Sequence, residues 1–206
     1  QQDGFAKGRM KILAALTRLR QICCHPSLFL ENYDGKSGKL EQLLELAANA
    51  VTGGKRLLIF SQFTKMLQMI HERFAQEGLD CFYLDGQTPS KERVQMAEAF
   101  NAGEKDAFLI SLKAGGTGLN LTGADTVFLY DLWWNPAVEE QAAGRAHRIG
   151  QKNVVQVVRL IARGTIEEKI HEMQQKKKAL IEQVIQPGET MLTSMTEEEI
   201  REILSI

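Results

Sequence analysis

Two closely spaced arginines carry the clearest chemical signal in the sequence. They lie in QAAGRAHRIGQ, residues 141–151, where most other residues are small or mildly polar. The stretch predicts a helix, and residues three or four apart share one helix face. Arg145 and Arg148 should therefore point the same way, with Gln141 one turn earlier and Gly144 next to Arg145. Two planar guanidinium groups on one face suit a carboxylate or a phosphate.

The anion that these arginines bind could belong to the chain itself. Arg148 could pair with Glu139 or Glu140 on the surface of the same helix. The regular spacing of Gln141 and Arg145 along with Arg148 favours a shared target outside the helix instead, and a phosphate is the natural choice.

The sequence contains no complete phosphate-binding loop to supply that phosphate. Gly35-Lys36-Ser37 ends like the pattern GxxxxGK[ST], but Leu30 stands where its first glycine belongs, and no strand precedes it. The glycine-rich segment 115–118 follows a predicted strand without completing a dinucleotide fingerprint. One physical solution is a pocket in another domain, into which the arginines reach as arginine fingers, an effect worth about 10³ to 10⁵ in rate.

Composition excludes several classes of protein. The 206 residues are 44% hydrophobic and 25% charged, with a net charge of −1, which argues against a wholly basic nucleic-acid binder but not against a local basic groove. No apolar run approaches the roughly 20 residues that span a bilayer. Cys23, Cys24 and Cys81 offer no disulfide framework and fit a reducing cytoplasm. Cys23-Cys24-His25 has no second Cys/His pair nearby, so we expect buried packing there and no metal.

The hydrophobic pattern predicts a central α/β core between terminal helices. Residues 9–24 and KLEQLLELAANAV have helical spacing, as do three later stretches and a long tail helix at 165–185. Short apolar runs predict strands at RLLIF (56–60), CFYL (81–84), AFLIS (107–111), TVFLYD (126–131) and VVQVVRLI (154–161). Strands that are apolar on both faces and alternate with helices indicate a doubly wound parallel sheet of about five to six strands.

Several long motifs in fixed order then point to one family. QAAGRAHRIGQ resembles the last helicase motif of superfamily two, in the form typical of Swi/Snf-type DNA translocases. The resemblance covers roughly residues 9–190 and extends to LTRLRQICCHPSLF, SGKLEQLLELA, RLLIFSQFTKML, YLDGQT, SLKAGGTGLNLTGADTVFLYDLWWNP and GTIEEKIHEMQQKKKALIEQVI. It implies the second RecA-like lobe of a motor, without the first lobe. The family commonly has ICNHP where this chain has ICCHP, which puts in doubt any hydrogen bond from the side chain of Cys24.

The resemblance implies three parts: a helical lead-in (1–34), the RecA-like lobe (35–163) and a C-terminal helical extension that packs on the lobe (164–206). The opening QQDGFAKGRM has no initiator Met and resembles the interior of a longer protein. The remodelled protein and the source organism stay open, so we expect a nucleoid location in a prokaryote and a nuclear one in a eukaryote.

The resemblance also assigns residues to ATP. Arg145 and Arg148 match the family's arginine fingers, and Gln141 matches a glutamine that orders the ATP-facing surface. Gly118 and Asn120 match the part of a glycine-rich motif near the nucleotide ribose. ATP and Mg²⁺ would both be held mainly by the first lobe.

A second set of residues matches the family's contacts with double-stranded DNA. Of Trp133 and Trp134, we expect Trp133 in the core and Trp134 along the DNA. Short hydroxyls, glycine-loop amides and single lysines suit contacts with the phosphate backbone, which carry no sequence information. The set comprises Ser61, Gln62, Asp85, Gly86, Gln87, Ser111, Lys113, Gly116, Thr117 and Trp134.

Three functions follow from these observations. The first is half of an ATP-driven translocase on double-stranded DNA, which acts on a DNA-bound protein and lacks turnover without the first lobe. The second is a nucleic-acid or protein interaction module with no role in hydrolysis. The third is a freestanding doubly wound enzyme that uses the GGTG loop for a small phosphorylated ligand.

Overall fold

A computed structural model describes residues 2–112, 114 and 118–181. The strands are β1 (Leu57–Ser61), β2 (Cys81–Leu84), β3 (Ala107–Ser111), β4 (Thr126–Leu129) and β5 (Gln156–Arg159). The helices are α1 (Gln2–Cys24), α2 (Gly38–Thr52), α3 (Thr64–Gln76), α4 (Ser90–Ala102), α5 (Pro136–Ala143) and α6 (Ile166–Ile181), with a short 3-10 helix at Pro26–Leu28. None of the helices in these described ranges is long and apolar enough to cross a membrane.

The strands form one parallel sheet in the order β2-β3-β1-β4-β5. The chain leaves β1 towards one edge of the sheet and leaves β4 towards the other. The carboxyl ends of β1 and β4 therefore form a topological switch point, where open parallel sheets bind ligands. The doubly wound RecA-like fold predicted from the sequence is confirmed.

Helices cover both faces of the sheet because every residue of the central strands is buried. In β1, Leu57 and Ile59 face α2 and α3, whereas Leu58 and Phe60 face α4 and α5. All four side chains are completely buried. This explains why the strands appear in the sequence as continuous apolar runs without polar alternation.

A third apolar cluster joins the two terminal helices to the loop after β4. Leu16 of α1 packs with Ile170 and Met173 of α6 against Leu132 and Trp134 of that loop. A buried ion pair between Lys39 and Glu167 adds a polar tie between the start of α2 and the start of α6. The described part of the C-terminal helix is therefore continuous with the lobe's core.

One predicted helix is shorter than expected. The pattern predicted helix through residue 150, but α5 ends at Ala143 and a series of turns covers 144–150. The side-chain amide nitrogen of Gln151 lies 2.6 Å from the carbonyl oxygen of Ala124 and 2.9 Å from that of Ala146, and so holds the turns against the loop before β4. Tertiary hydrogen bonds thus replace the helical ones. The second half of the predicted tail, residues 182–206, lies outside the described residues.

Candidate functional site

The two arginines lie on the turns that follow α5, not on the helix itself. The amide of Arg145 donates to Ala142 O at 3.2 Å, and the amide of Arg148 donates to Ala146 O at 3.2 Å. Leu121 N donates to Arg145 O at 2.9 Å, which fixes the turns to the loop between β3 and β4. We call residues 144–150 the arginine turn. The premise of a shared helix face was wrong, but the turns keep both residues in one short segment.

Arg145 is a buried cation that forms no ion pair with any described residue. Its side chain is 8% exposed, and its Nε and Nη1 atoms are buried with no hydrogen-bond partner among the described residues. The guanidinium carbon lies 5.9 Å from the ring centroid of Phe60. Burial, and then the charge of Arg148, lowers the pKa of Arg145 to about 10, so the group is still charged at neutral pH. Its Nε and Nη1 atoms thus remain available to an acceptor that is not among the described residues.

Arg148 is exposed, and its hydrogen bonds within the described residues go to backbone oxygens. Its Nη1 donates to Gly118 O at 2.8 Å and its Nε donates to Gly144 O at 3.2 Å. The salt bridges between described residues include neither Arg148 nor Arg145. Neither guanidinium group thus has a carboxylate partner in the part of the chain that the structure describes.

The pairing of Arg148 with Glu139 does not occur. Glu139 is buried, and its carboxylate accepts hydrogen bonds from Arg159 Nε at 2.9 Å and Trp133 N at 3.0 Å. Gln174 Nε2, on α6, donates to the same carboxylate at 2.6 Å. Glu139 therefore joins α5, β5 and α6 and has a structural part that the sequence pattern did not reveal.

The structure brings the predicted nucleotide residues close to the arginine turn. Gly118 bonds to Arg148 and adopts a φ of 49°, a left-handed conformation that explains why glycine stands there. Asn120 is exposed, and its neighbour Leu121 bonds to Arg145. Gln141 is exposed on α5, one turn before Arg145. These residues form one surface region, which we call the arginine site.

Two predicted DNA contacts, Ser61 and Ser111, are buried at the ends of adjacent strands. They are 0% and 2% exposed and lie side by side in the β1–β3 register. Ser61 Oγ donates to the carboxylate of Asp131 and accepts from Phe63 N at 3.1 Å. A hydroxyl with both functions satisfied inside the protein is not available to DNA. The prediction of direct contact is therefore corrected for Ser61. Ser111 is buried beside it, because the central strands carry their last side chains into the core, and its contact with DNA stays a prediction.

Asp131, to which the residue pattern assigns no role, organises this switch point. It is 1% exposed, accepts from Gln62 N at 3.3 Å, and lies 4.0 Å from Arg20 Nη2. Burial raises the pKa of its carboxyl, which Arg20 and Ser61 oppose. The signal was an aspartate at the end of an apolar strand. Gln62 itself is half-buried, and its Nε2 has no partner among the described residues.

The loop after β2 is the part of the predicted DNA set that is open to solvent. Gly86 and Gln87 are exposed, and Asp85 is half-buried. Asp85 Oδ1 accepts from Gln87 N at 2.9 Å, and Asp85 N donates to Thr88 Oγ1 at 3.1 Å. These bonds fix a compact turn, which we call the DG loop (residues 85–88). Lys113, Gly116 and Thr117 lie outside the described residues.

The expected exposure of the two tryptophans is reversed. Trp134 is 6% exposed and packs in the cluster between α1 and α6, with Arg20 5.0 Å from its ring centroid. Trp133 is the half-buried one. Placement of Trp134 along the DNA is therefore corrected, because the terminal helices cover its ring.

The incomplete phosphate-loop pattern at Gly35-Lys36-Ser37 and the pair Cys23-Cys24 have structural roles. Ser37 Oγ accepts from Leu40 N at 3.5 Å as the N-cap of α2 and donates to Cys24 O at 2.9 Å. The Cys24 side chain is fully buried, and burial raises the pKa of its thiol well above the usual value. His25 Nδ1 accepts from Ser27 N at 3.2 Å. No cluster of His, Cys, Asp or Glu within the described residues could hold a metal ion.

These features define a class of protein: a RecA-like α/β lobe with an unpaired arginine site and a polar loop at the carboxyl end of its sheet. The model of the helicase conserved C-terminal domain matches residues 36–150. The chain belongs to this family, in its Swi/Snf-type branch.

Relatives from bacteria and eukaryotes support that assignment. The putative ATP-dependent helicase/translocase YwqA of Bacillus subtilis is 43% identical over 95% of this chain and 22% of its own length. The SWI/SNF-related matrix-associated actin-dependent regulator of chromatin subfamily A member 1 of Mus musculus is 44% identical over 87% of this chain and 18% of its own length. The chain thus spans about a fifth of the length of these relatives.

Solved structures give the same result. The SWI2/SNF2 ATPase core of Sulfolobus solfataricus in complex with double-stranded DNA is 33% identical, with a TM-score of 0.75 over 96% of this chain and 42% of that chain. The C-terminal part of the Fun30 ATPase domain is 29% identical, with a TM-score of 0.69 over 90% of this chain and 59% of that chain.

Proposed function

We propose that this chain is the C-terminal motor lobe of a DNA-dependent ATPase, which translocates on double-stranded DNA and remodels proteins bound to it. The observation that carries the proposal is Arg145, a buried guanidinium with two donor atoms that no described residue satisfies. The similarity to a DNA-bound SWI2/SNF2 core supports the DNA part. The protein would act at the nucleoid in a prokaryote or in the nucleus in a eukaryote.

The arginine site fits the triphosphate of an ATP that another lobe holds. A buried polar group without a partner costs about 1 to 3 kcal/mol, and more when it is charged. An incoming phosphate oxygen would remove this cost at Arg145, while exposed Arg148 adds a second positive charge. Both guanidinium groups would then stabilise the negative charge that develops on the transferring phosphoryl group.

Magnesium would be held outside the described residues. The described part of the chain offers no acidic cluster for it. The first lobe would therefore supply the metal site, where Mg²⁺ would neutralise charge on the phosphates. This chain would contribute the arginines, and the isolated chain would have negligible turnover.

The DG loop and the switch point would provide the grip on DNA. Gly86 and Gln87 expose backbone and amide groups at the carboxyl end of β2. Such groups suit contacts with phosphates, which hold the duplex without reading its sequence. Ser61 would act indirectly, through Asp131, by fixing the loop that contains Gln62.

The test is ATP hydrolysis by the protein that contains both lobes. Arg148→Ala should leave ATP affinity within a few-fold and lower the DNA-stimulated rate by about 10³-fold or more, as loss of an arginine finger does. Arg163→Ala, at an exposed arginine beside α6, is the matched control and should keep the wild-type rate. An unchanged rate in Arg148→Ala would favour an interaction module, and strong hydrolysis by the isolated chain would favour a freestanding enzyme.

A further inference from the structure

Arg93, in the first turn of α4, ties together two loops that follow neighbouring strands. Its Nε donates to Thr88 O at 2.7 Å, and its Nη1 donates to Ala114 O at 2.9 Å. Its Nη2 lies 3.3 Å from the carbonyl oxygens of both Asp85 and Gly86. All three nitrogen atoms of one planar group therefore bind backbone oxygens, three of which belong to the DG loop.

The second of these loops leads directly to the arginine site. Ala114 is buried, and Gly118, only four residues later, accepts the hydrogen bond from Arg148 Nη1. Arg93 and Arg148 thus hold the two ends of one short segment. Ala114 also belongs to the buried apolar cluster that contains Ala146 of the arginine turn, so a displacement of Ala114 disturbs the packing of the turn that carries both arginines.

The contacts of Arg93 require the shape of a guanidinium group. The salt bridges between described residues do not include Arg93, so its part here is to donate to carbonyl groups. A lysine has the same charge but only one nitrogen, which cannot bond to oxygens on both loops in this fixed geometry.

We propose that Arg93 is a positioning residue that couples the grip on DNA to ATP hydrolysis, an inference that rests on the proposed function. A phosphate that binds the DG loop sets the position of its carbonyl groups. Through Arg93 this fixes Ala114, and through the apolar cluster that Ala114 shares with Ala146 it orders the arginine turn. DNA would then stimulate hydrolysis because it orders the arginine site.

Arg56 provides a matched control at the opposite end of the sheet. It precedes β1, is also half-buried, and its Nη1 donates to Gly123 O at 3.3 Å while its Nη2 donates to Lys105 O. It lies over the Phe100 ring at 4.1 Å. Arg56 thus joins two loops by the same kind of bond, but at the amino ends of the strands, away from the DG loop.

The experiment measures ATPase rates with and without a short duplex of random sequence, in the protein that contains both lobes. We compare the wild type with Arg93→Lys, Arg93→Gln and Arg56→Gln. Both Arg93 variants should lower the ratio of DNA-stimulated to DNA-free rate by about tenfold or more, with KM for ATP changed by less than about twofold. Arg56→Gln should keep the wild-type ratio at a temperature below its unfolding midpoint.

Arg93→Lys decides the outcome if Arg93→Gln does not fold, because lysine keeps the charge and most of the side-chain length. A wild-type ratio in Arg93→Lys would overturn the proposal. An equal loss in Arg56→Gln would also overturn it, since that result indicates a general structural effect. A wild-type protein whose ATPase ignores DNA would instead contradict the proposed function itself.

Discussion

At the scale of single residues, the arginine site shows a conflict between stability and function. The Nε and Nη1 atoms of the buried Arg145 guanidinium have no hydrogen-bond partner among the described residues. Such unpaired donors lower the free energy of unfolding of the lobe. Burial of Arg145, and then electrostatic repulsion from Arg148, also lower the pKa of its guanidinium. Sites that bind a charged ligand commonly keep such unfavourable groups, and substitution then stabilises the fold while it removes activity.

We therefore expect Arg145→Met to stabilise the isolated chain. Methionine fills similar volume without a charge, so the free energy of unfolding should rise by about 1 to 3 kcal/mol. Urea unfolding followed by circular dichroism measures the change. Arg148→Met, at an exposed position, should alter the free energy of unfolding by less than about 0.5 kcal/mol. A loss of stability in Arg145→Met would mean that the guanidinium is well satisfied in solution.

Residue types and spacing identified the arginines, but they did not predict the burial or the hydrogen-bond partners of the polar residues around them. The residue pattern predicts a surface contact at Ser61 because a hydroxyl after a strand suits phosphate. Its burial depends on Asp131, 70 residues away in sequence, whose carboxylate accepts its proton. Arg93 was missed for the same reason, since its partners are backbone oxygens that have no signature in a sequence.

At the scale of elements, strands were predictable and helix ends were less so. The five strands lie within two residues of the apolar runs because burial on both faces leaves a strong local signal. The end of α5 was missed because Gln151 and the carbonyl groups of Ala124 and Ala146 stabilise turns there through tertiary contacts. Those same contacts place the arginine turn against the loop that contains Gly118.

The buried ion pair between Lys39 and Glu167 attaches α6 to the start of α2. Replacing first one partner and then both should show how much the pair contributes to the free energy of unfolding. Lys39 also donates to Tyr130 O at 3.2 Å, and the Glu167 carboxylate accepts from Ala162 N at 2.7 Å. Lys39→Met leaves the Glu167 carboxylate buried without a cation, so it should lower the free energy of unfolding by about 3 kcal/mol. Chemical denaturation of the chain measures this.

The double variant Lys39→Met/Glu167→Leu is the matched comparison. Replacing both partners removes the uncompensated charge, so it should recover more than half of the stability lost in Lys39→Met. If the double variant is less stable than the single one, the pair contributes mainly through its bonds to backbone groups, and the charge argument fails.

At the scale of the whole molecule, the lobe has two proposed functional surfaces on its loops. The DG loop lies after β2 and the arginine turn lies after α5, and Ala114, which bonds to Arg93, shares an apolar cluster with Ala146 of that turn. If a second lobe holds the ATP that the arginine site contacts, as proposed, the affinity between the two lobes should depend on nucleotide by linkage.

Association of the isolated chain with a separately produced first lobe should accordingly strengthen when a non-hydrolysable ATP analogue and Mg²⁺ are present. Each arginine that reaches the phosphates adds a charge-assisted bond, so the analogue should increase affinity by about 10-fold or more. Isothermal titration calorimetry measures both states. Arg145→Ala should reduce the increase several-fold, because Arg148 remains, whereas Arg163→Ala should retain it in full, since Arg163 is an exposed residue just before α6. An undiminished increase in Arg145→Ala would place the phosphate contacts elsewhere on this lobe, because the buried guanidinium would then contribute nothing to the closed state.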